Sequence, residues 1–148
     1  MTGVQTCALP ISLRIVKHPD EIEILRRAGA AADRVVDAIA AGKLVGRTEA
    51  DVSREVYDRL QAEGHQTPTF GIVASGPNAC ILHYHENRRR LEDGDLVLID
   101  AGGEIGFRSG DITRTFPANG RFTPARWNSS SMISWCTGSA PSPHGTGQ

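Results

Sequence analysis

Apolar or small side chains recur at Ile22, Leu25, Gly29, Ala32, Val36 and Ile39. These steps of three and four residues lie along one face of a 3.6-residue helix. Pro19 suits a first-turn position, and Asp20, Glu21 and Glu23 favour the positive end of a helix dipole. The pattern predicts a helix over 20–41, ended by Gly42, with its apolar face in the core. A second helix is expected from about Glu49 to Glu63. Thr48 is a good N-cap with Asp51 in capping-box position, Val52, Val56 and Leu60 recur every four residues, and Gly64 ends the run. After Pro68 the period shortens. "TFGIVASG" (69–76), "ACILHYH" (79–85), "DLVLIDAG" (95–102) and "FRSGDITRTF" (107–116) read as four strands, separated by turn signals at Gly76-Pro77-Asn78 and Glu92-Asp93-Gly94. Two helices followed by strands joined through tight turns point to an α+β domain with a mainly antiparallel sheet.

Composition narrows the function classes. The chain has 148 residues, 39% hydrophobic and 22% charged, with a formal net charge of −1. That balance argues against a dedicated nucleic-acid binder, which carries a basic excess. Arg88-Arg89-Arg90 reads as a solvated loop. No apolar stretch reaches the roughly 20 residues of a membrane span. Cys7, Cys80 and Cys136 are odd in number and widely spaced, so neither a disulfide framework nor a zinc site is expected, and a cytoplasmic location is the default. The two ends differ from the middle. All 17 acidic residues lie between positions 13 and 124. Residues 1–12 resemble a translated sequencing-library adapter and are set apart from the fold. Residues 125–148 lack any strand or helix period and read as a frameshifted or disordered tail. The domain is therefore expected at 13–124.

Two of the expected strands carry an aspartate each, Asp100 and Asp111, although strand interiors disfavour Asp. A hairpin centred between Ile105 and Gly106 pairs residue 104 with 107 and Asp100 with Asp111. Directly opposed Cβ atoms lie roughly 4.5–5.5 Å apart, where like charges destabilise the pair. A shared proton, an intervening basic group or a bridging cation relieves such a pair. Arg114 alternates to the opposite face from Asp111 and Thr113, which weakens the second remedy. Oxygen-rich sites suit hard divalent ions, and a carboxylate pair can hold two of them for hydrolysis. Spacing alone leaves open that Asp100 ends its strand at a turn and that Asp111 caps another.

At these residues a resemblance enters. "GDLVLIDAGGE", "SGDITRTFPANGRF" and the preceding "ILHYHEN" resemble the pita-bread metallopeptidases, most closely the Xaa-Pro aminopeptidase (aminopeptidase P) branch. "RIVKHPDEIEILRRAG" is similar to the opening of that family's catalytic domain. The resemblance covers roughly residues 13–124. It implies the first half of a pita-bread fold and a site for two divalent ions, usually manganese, sometimes cobalt or zinc. It implies removal of the N-terminal residue from peptides with proline second. Asp100 matches a ligand of one metal, Asp111 the ligand shared by both, and His83 the histidine near the scissile bond. Thr113 follows Asp111 on the same strand face and is placed to support the metal shell. His85, His18 and His65 match no catalytic position, and the last two read as loop residues.

Phe107 and Arg108 stand where the family usually has Gly and Tyr, and the segment around "PTFGIV" is one residue shorter. The family's other ligands, one His and two Glu, belong to the second half of the domain, and residues 125–148 contain no Glu. The expectation is an inactive fragment of a peptidase whose intact form acts on peptides, is open to homo-oligomerisation, and engages neither nucleic acid nor membrane. Alternatives are a prolidase or another pita-bread peptidase, a metal-free pita-bread binding module, and a small metal-binding protein complete as written.

Overall fold

Thr48 caps the helix that begins at Glu49. Its hydroxyl accepts from the Asp51 backbone N–H at 3.1 Å, and the Asp51 carboxylate accepts from the Thr48 backbone N–H at 3.2 Å, so two orphan donors are satisfied reciprocally. The computed structural model describes residues 14–123. The expectations for residues 1–12 and 125–148 lie outside this range. Helix α1 spans Pro19–Ala40 and helix α2 spans Glu49–Ala62. His18 is the N-cap of α1 rather than a plain loop residue: its ring accepts from the Asp20 N–H at 3.4 Å, and Glu21 accepts from the His18 N–H. Gly42 closes α1 by donating to the Ile39 carbonyl, and Gly64 follows α2 with φ +93°, a conformation that favours glycine.

Three antiparallel strands follow in the order β1-β2-β3: β1 Thr67–Ser75, β2 Leu96–Ile105 and β3 Arg108–Pro117. The strand expected over 79–85 does not form. Gly76–Cys80 is a short 3-10 turn, and the chain then runs irregularly to Arg90, where a single bridge pairs it with Thr48. Apolar alternation was misleading there, because this segment takes its backbone and side-chain partners from the start of α2 and not from a neighbouring strand.

Both helices lie on one face of the sheet. Val35, Val36 and Ile39 of α1, Val52, Val56 and Leu60 of α2, and Val73, Val97, Ile99 and Ala101 of the strands form one buried cluster with Leu44 and Leu91. Burying each such aliphatic side chain contributes about 1.5–3 kcal/mol. Ile22, expected on the core face, is exposed, because the buried stripe of α1 begins at Ala28. β3 lies very close to α1: a Cβ on Gly110 would stand 2.5 Å from the Ala28 carbonyl carbon and oxygen. Arg114 reaches from β3 to Asp33 of α1 at 2.9 Å, and Arg108 pairs with Glu21. The opposite face of the sheet carries Ile72, Ala74, Leu98, Asp100, Gly102, Asp111, Thr113 and Thr115, as the strand register dictates.

Candidate metal centre

The hairpin turns one residue later than the sequence suggests. Ile105 pairs with Arg108, so Gly106 and Phe107 form the two-residue turn, with φ of +55° and +60°. A type I′ hairpin turn demands positive φ at both central positions. Gly106 adopts it freely, whereas a β-branched Ile105 in that place is disfavoured. Phe107 accepts it and projects into solvent, 85% exposed. The shift changes the expected pairing. Asp100 faces Thr113, and Asp111 faces Gly102. The two aspartates are therefore diagonal neighbours and not directly opposed, but they stay on the same face, because the register moved by an even step.

Their chemistry is coupled nonetheless. Partial loss of hydration, the negative charge of Asp100 and a hydrogen bond with Asp100, in that order, raise the pKa of Asp111. A hydrogen bond between two carboxyl groups needs one proton between them. Thr113 donates from Oγ1 to Oδ1 of Asp100 at 2.6 Å and so fixes the orientation of that carboxylate. Arg114 lies on the helix side and does not stand between the acids.

The donor set matches the implied cations in type. It consists of oxygen only, as hard divalent ions prefer. Two carboxyl groups share one face, one is held by a hydroxyl, and their mutual repulsion is what a cation relieves. Among the described residues no group of three or more His, Cys, Asp and Glu comes together. Asp100 and Asp111 thus fit as part of a metal shell and not as the whole of one.

His83 is brought to the same place by the irregular segment. Ala79, Cys80, Ile81, Leu82 and His83 pass over the open face, and a cleft of about 230 Å³ lies between them and Ile72, Ala74, Leu98, Asp100 and Thr113. The structure therefore joins His83 and Asp100 in one cleft, with Asp111 beside Asp100 on the sheet. The backbone of His83 has φ +50°. A non-glycine residue in the left-handed region costs about 1–3 kcal/mol and persists where its surroundings over-determine it. His85 is exposed and lines no part of this cleft. His65 lies in the loop between α2 and β1, as expected, but is buried there: its ring packs on Gly103 of β2, where an added Cβ would stand 2.6 Å from Nδ1, and burial lowers its pKa.

Sequence reasoning missed the anchor of this segment. Glu49, the first residue of α2, is fully buried. Burial opposes its ionisation, but hydrogen bonds from Ser75, Asn78, the Arg89 backbone and Tyr84 outweigh it and hold the carboxyl below the ordinary glutamate range. Arg89 likewise is no solvated loop residue: its guanidinium pairs with Asp95 and reaches Glu92 at 3.0 Å, while Arg88 and Arg90 are exposed. In sequence Glu49 looks like an ordinary helix-start acid, and the partners of its side chain stand 26 to 40 residues away, beyond any local signal.

Comparison with known proteins gives the lineage. The chain is 44% identical over 120 residues to the Xaa-Pro aminopeptidase of Escherichia coli strain K12, covering 77% of this chain and 26% of that protein. It is 44% identical over 106 residues to the probable dipeptidase PepE of Mycobacterium tuberculosis H37Rv, covering 70% and 28%. The solved structure of Pseudomonas aeruginosa aminopeptidase PepP superimposes with a TM-score of 0.73 at 42% identity, over 77% of this chain and 26% of that one. The chain thus spans about a quarter of the length of these relatives, and its two helices and three strands are the corresponding part of a pita-bread fold. The sequence profile of metallopeptidase family M24 matches residues 23–132, and the chain belongs to that family.

Proposed function

We propose that these residues serve a metal-dependent aminopeptidase that releases the N-terminal residue from peptides with proline in second place. The observation that carries the reading is the open sheet face, where Asp100 and Asp111 stand as diagonal neighbours beside a cleft lined by His83. Likeness to Xaa-Pro aminopeptidases supports the substrate class. Asp100 and Asp111 would hold divalent cations, with manganese the ion that the family resemblance favours and cobalt or zinc as alternatives. Divalent ions bound there would supply carbonyl polarisation and a nucleophile from water at neutral pH. Thr113, donating to Asp100 Oδ1, would hold that carboxylate in its ligand orientation. His83 would stand over the reacting carbonyl as a hydrogen-bond donor or proton carrier. The chain spans about a quarter of its relatives' length and residues 125–148 contain no Glu, so the remaining ligands would come from beyond the 148 residues, which by themselves are expected to turn over no peptide. The exposed unpaired thiol of Cys80 supports a reducing, cytoplasmic setting. Homo-oligomerisation of the intact protein remains part of the proposal.

A dipeptidase reading is favoured by a separate observation, the 44% identity to probable dipeptidase PepE. Turnover of a Gly-Pro dipeptide against a longer Xaa-Pro peptide by the full-length protein separates the two. A metal-free binding module is disfavoured by retention of both aspartates. The deciding experiment is Asp111→Asn in the full-length protein. Bound metal and peptidase activity are expected to fall by at least about a hundredfold, more than loss of an outer-shell partner costs, with the circular dichroism spectrum kept. Retained activity would refute the assignment.

A further inference from the structure

We infer that Glu49 is a positioning residue for His83, a buried carboxylate hub that holds the irregular segment over the open face in its working shape. The inference rests on the peptidase reading above. Glu49 Oε1 accepts from the backbone N–H and the hydroxyl of Ser75, both at 2.8 Å, and from Asn78 Nδ2 at 3.1 Å. Oε2 accepts from the Tyr84 hydroxyl at 2.8 Å, from the Arg89 backbone N–H at 3.0 Å and from Asn78 Nδ2 at 3.3 Å. One side chain thus ties down both ends of the segment, Ser75 and Arg89, and its middle at Tyr84.

Tyr84 directly follows His83. It is buried, while His83 and Leu82 are exposed. Its hydroxyl also accepts from Asn78 Nδ2 at 3.0 Å and from the Arg88 N–H at 3.3 Å. The backbone of α2 adds to the clamp: the Glu49 N–H donates to the Arg89 carbonyl and the Ala50 N–H to the Asn87 carbonyl. No strand ladder supports residues 81–89, so these contacts are what oppose relaxation of the left-handed backbone at His83. Only an acceptor-only group suits the hub, since every partner of Glu49 donates. A glutamine in its place would aim an NH2 group at donors. The carboxylate works through geometry and touches no substrate.

The test uses the full-length protein with its metal and an Xaa-Pro peptide. Glu49→Gln is expected to lower kcat about 10- to 100-fold, no more than His83→Ala does, with KM and bound metal within about threefold of the parent, since general acid–base help is worth about 10²–10⁴. The double variant Glu49→Gln/His83→Ala should be no slower than His83→Ala alone. Amide hydrogen exchange across 80–87 should quicken while α2 stays protected, a readout that needs no activity. Tyr84→Phe removes one spoke without a buried charge and should move each quantity the same way by a smaller factor, about 3- to 10-fold, which keeps the test open if Glu49→Gln folds poorly. Multiplying effects of Glu49→Gln and His83→Ala, or unchanged exchange over 80–87, would overturn the positioning role. An inert parent enzyme, or a fully active His83→Ala, would instead overturn the peptidase reading while the exchange result still reports on Glu49.

Discussion

A strand position that carries Asp is locally unfavourable, and Asp111 shows what that implies for the molecule. Its folded pKa lies above its ordinary value through reduced hydration, the charge of Asp100 and the hydrogen bond with Asp100. Folding therefore favours the acid form. The resulting stabilisation is complete below the unfolded pKa and is lost as pH rises through the folded pKa. At neutral pH, without cations, Asp111 opposes folding. In chelator-treated protein, Asp111→Asn should melt higher than the parent at about pH 7, and the difference should close as pH falls toward about 3, where the parent carboxyl is protonated as well. The same variant should bind metal at least about a hundredfold less well, so it separates stability from function. A lower melting temperature for Asp111→Asn at neutral pH in chelator would contradict the coupling.

Among the elements, the β2–β3 hairpin sets the register on which the acid pair depends. Gly106 and Phe107 adopt the positive φ of a primed turn, and the ladder then pairs Asp100 with Thr113. That arrangement gives Asp100 a hydroxyl partner in place of a second anion. β3 is also fixed against α1, where Gly110 leaves room for the helix backbone at Ala28 and Gly29. Gly110→Ala must push that backbone away, since neither carbonyl nor amide can rotate aside. The expected loss is about 1–3 kcal/mol in urea unfolding, typical of overpacking. An unchanged midpoint would show that α1 and β3 separate more easily than their packing implies. Being one residue from Asp111, the same substitution should also weaken metal binding.

For the whole molecule, the decisive feature is asymmetry of cover. One face of the sheet is buried under α1 and α2, while the other carries the acids, the cleft and the segment 76–90. Two carboxyl groups seldom hold divalent cations against water, and no cluster of three or more ligating side chains occurs among the described residues. Equilibrium dialysis of the 148-residue chain with manganese should therefore show weak uptake, and the full-length protein should take up about two ions tightly, as two-metal hydrolytic sites do. Tight stoichiometric binding by the 148 residues alone would favour a small metal-binding protein complete as written.

Local pattern alone determined the two helices, their caps at Thr48 and Gly42, the α+β order, and the shared face of Asp100 and Asp111, because helix period, capping and strand alternation act over a few residues. Motif spelling supplied the candidacy of His83, which no periodicity reveals. The tertiary structure decided the rest. It replaced the expected strand over 79–85 with a segment held by Glu49, shifted the hairpin so that Thr113 faces Asp100, buried His65, and paired Arg89 with Asp95. Each of these depends on partners far along the chain or on the backbone sign of a turn, and such energies appear only when distant segments are brought into contact.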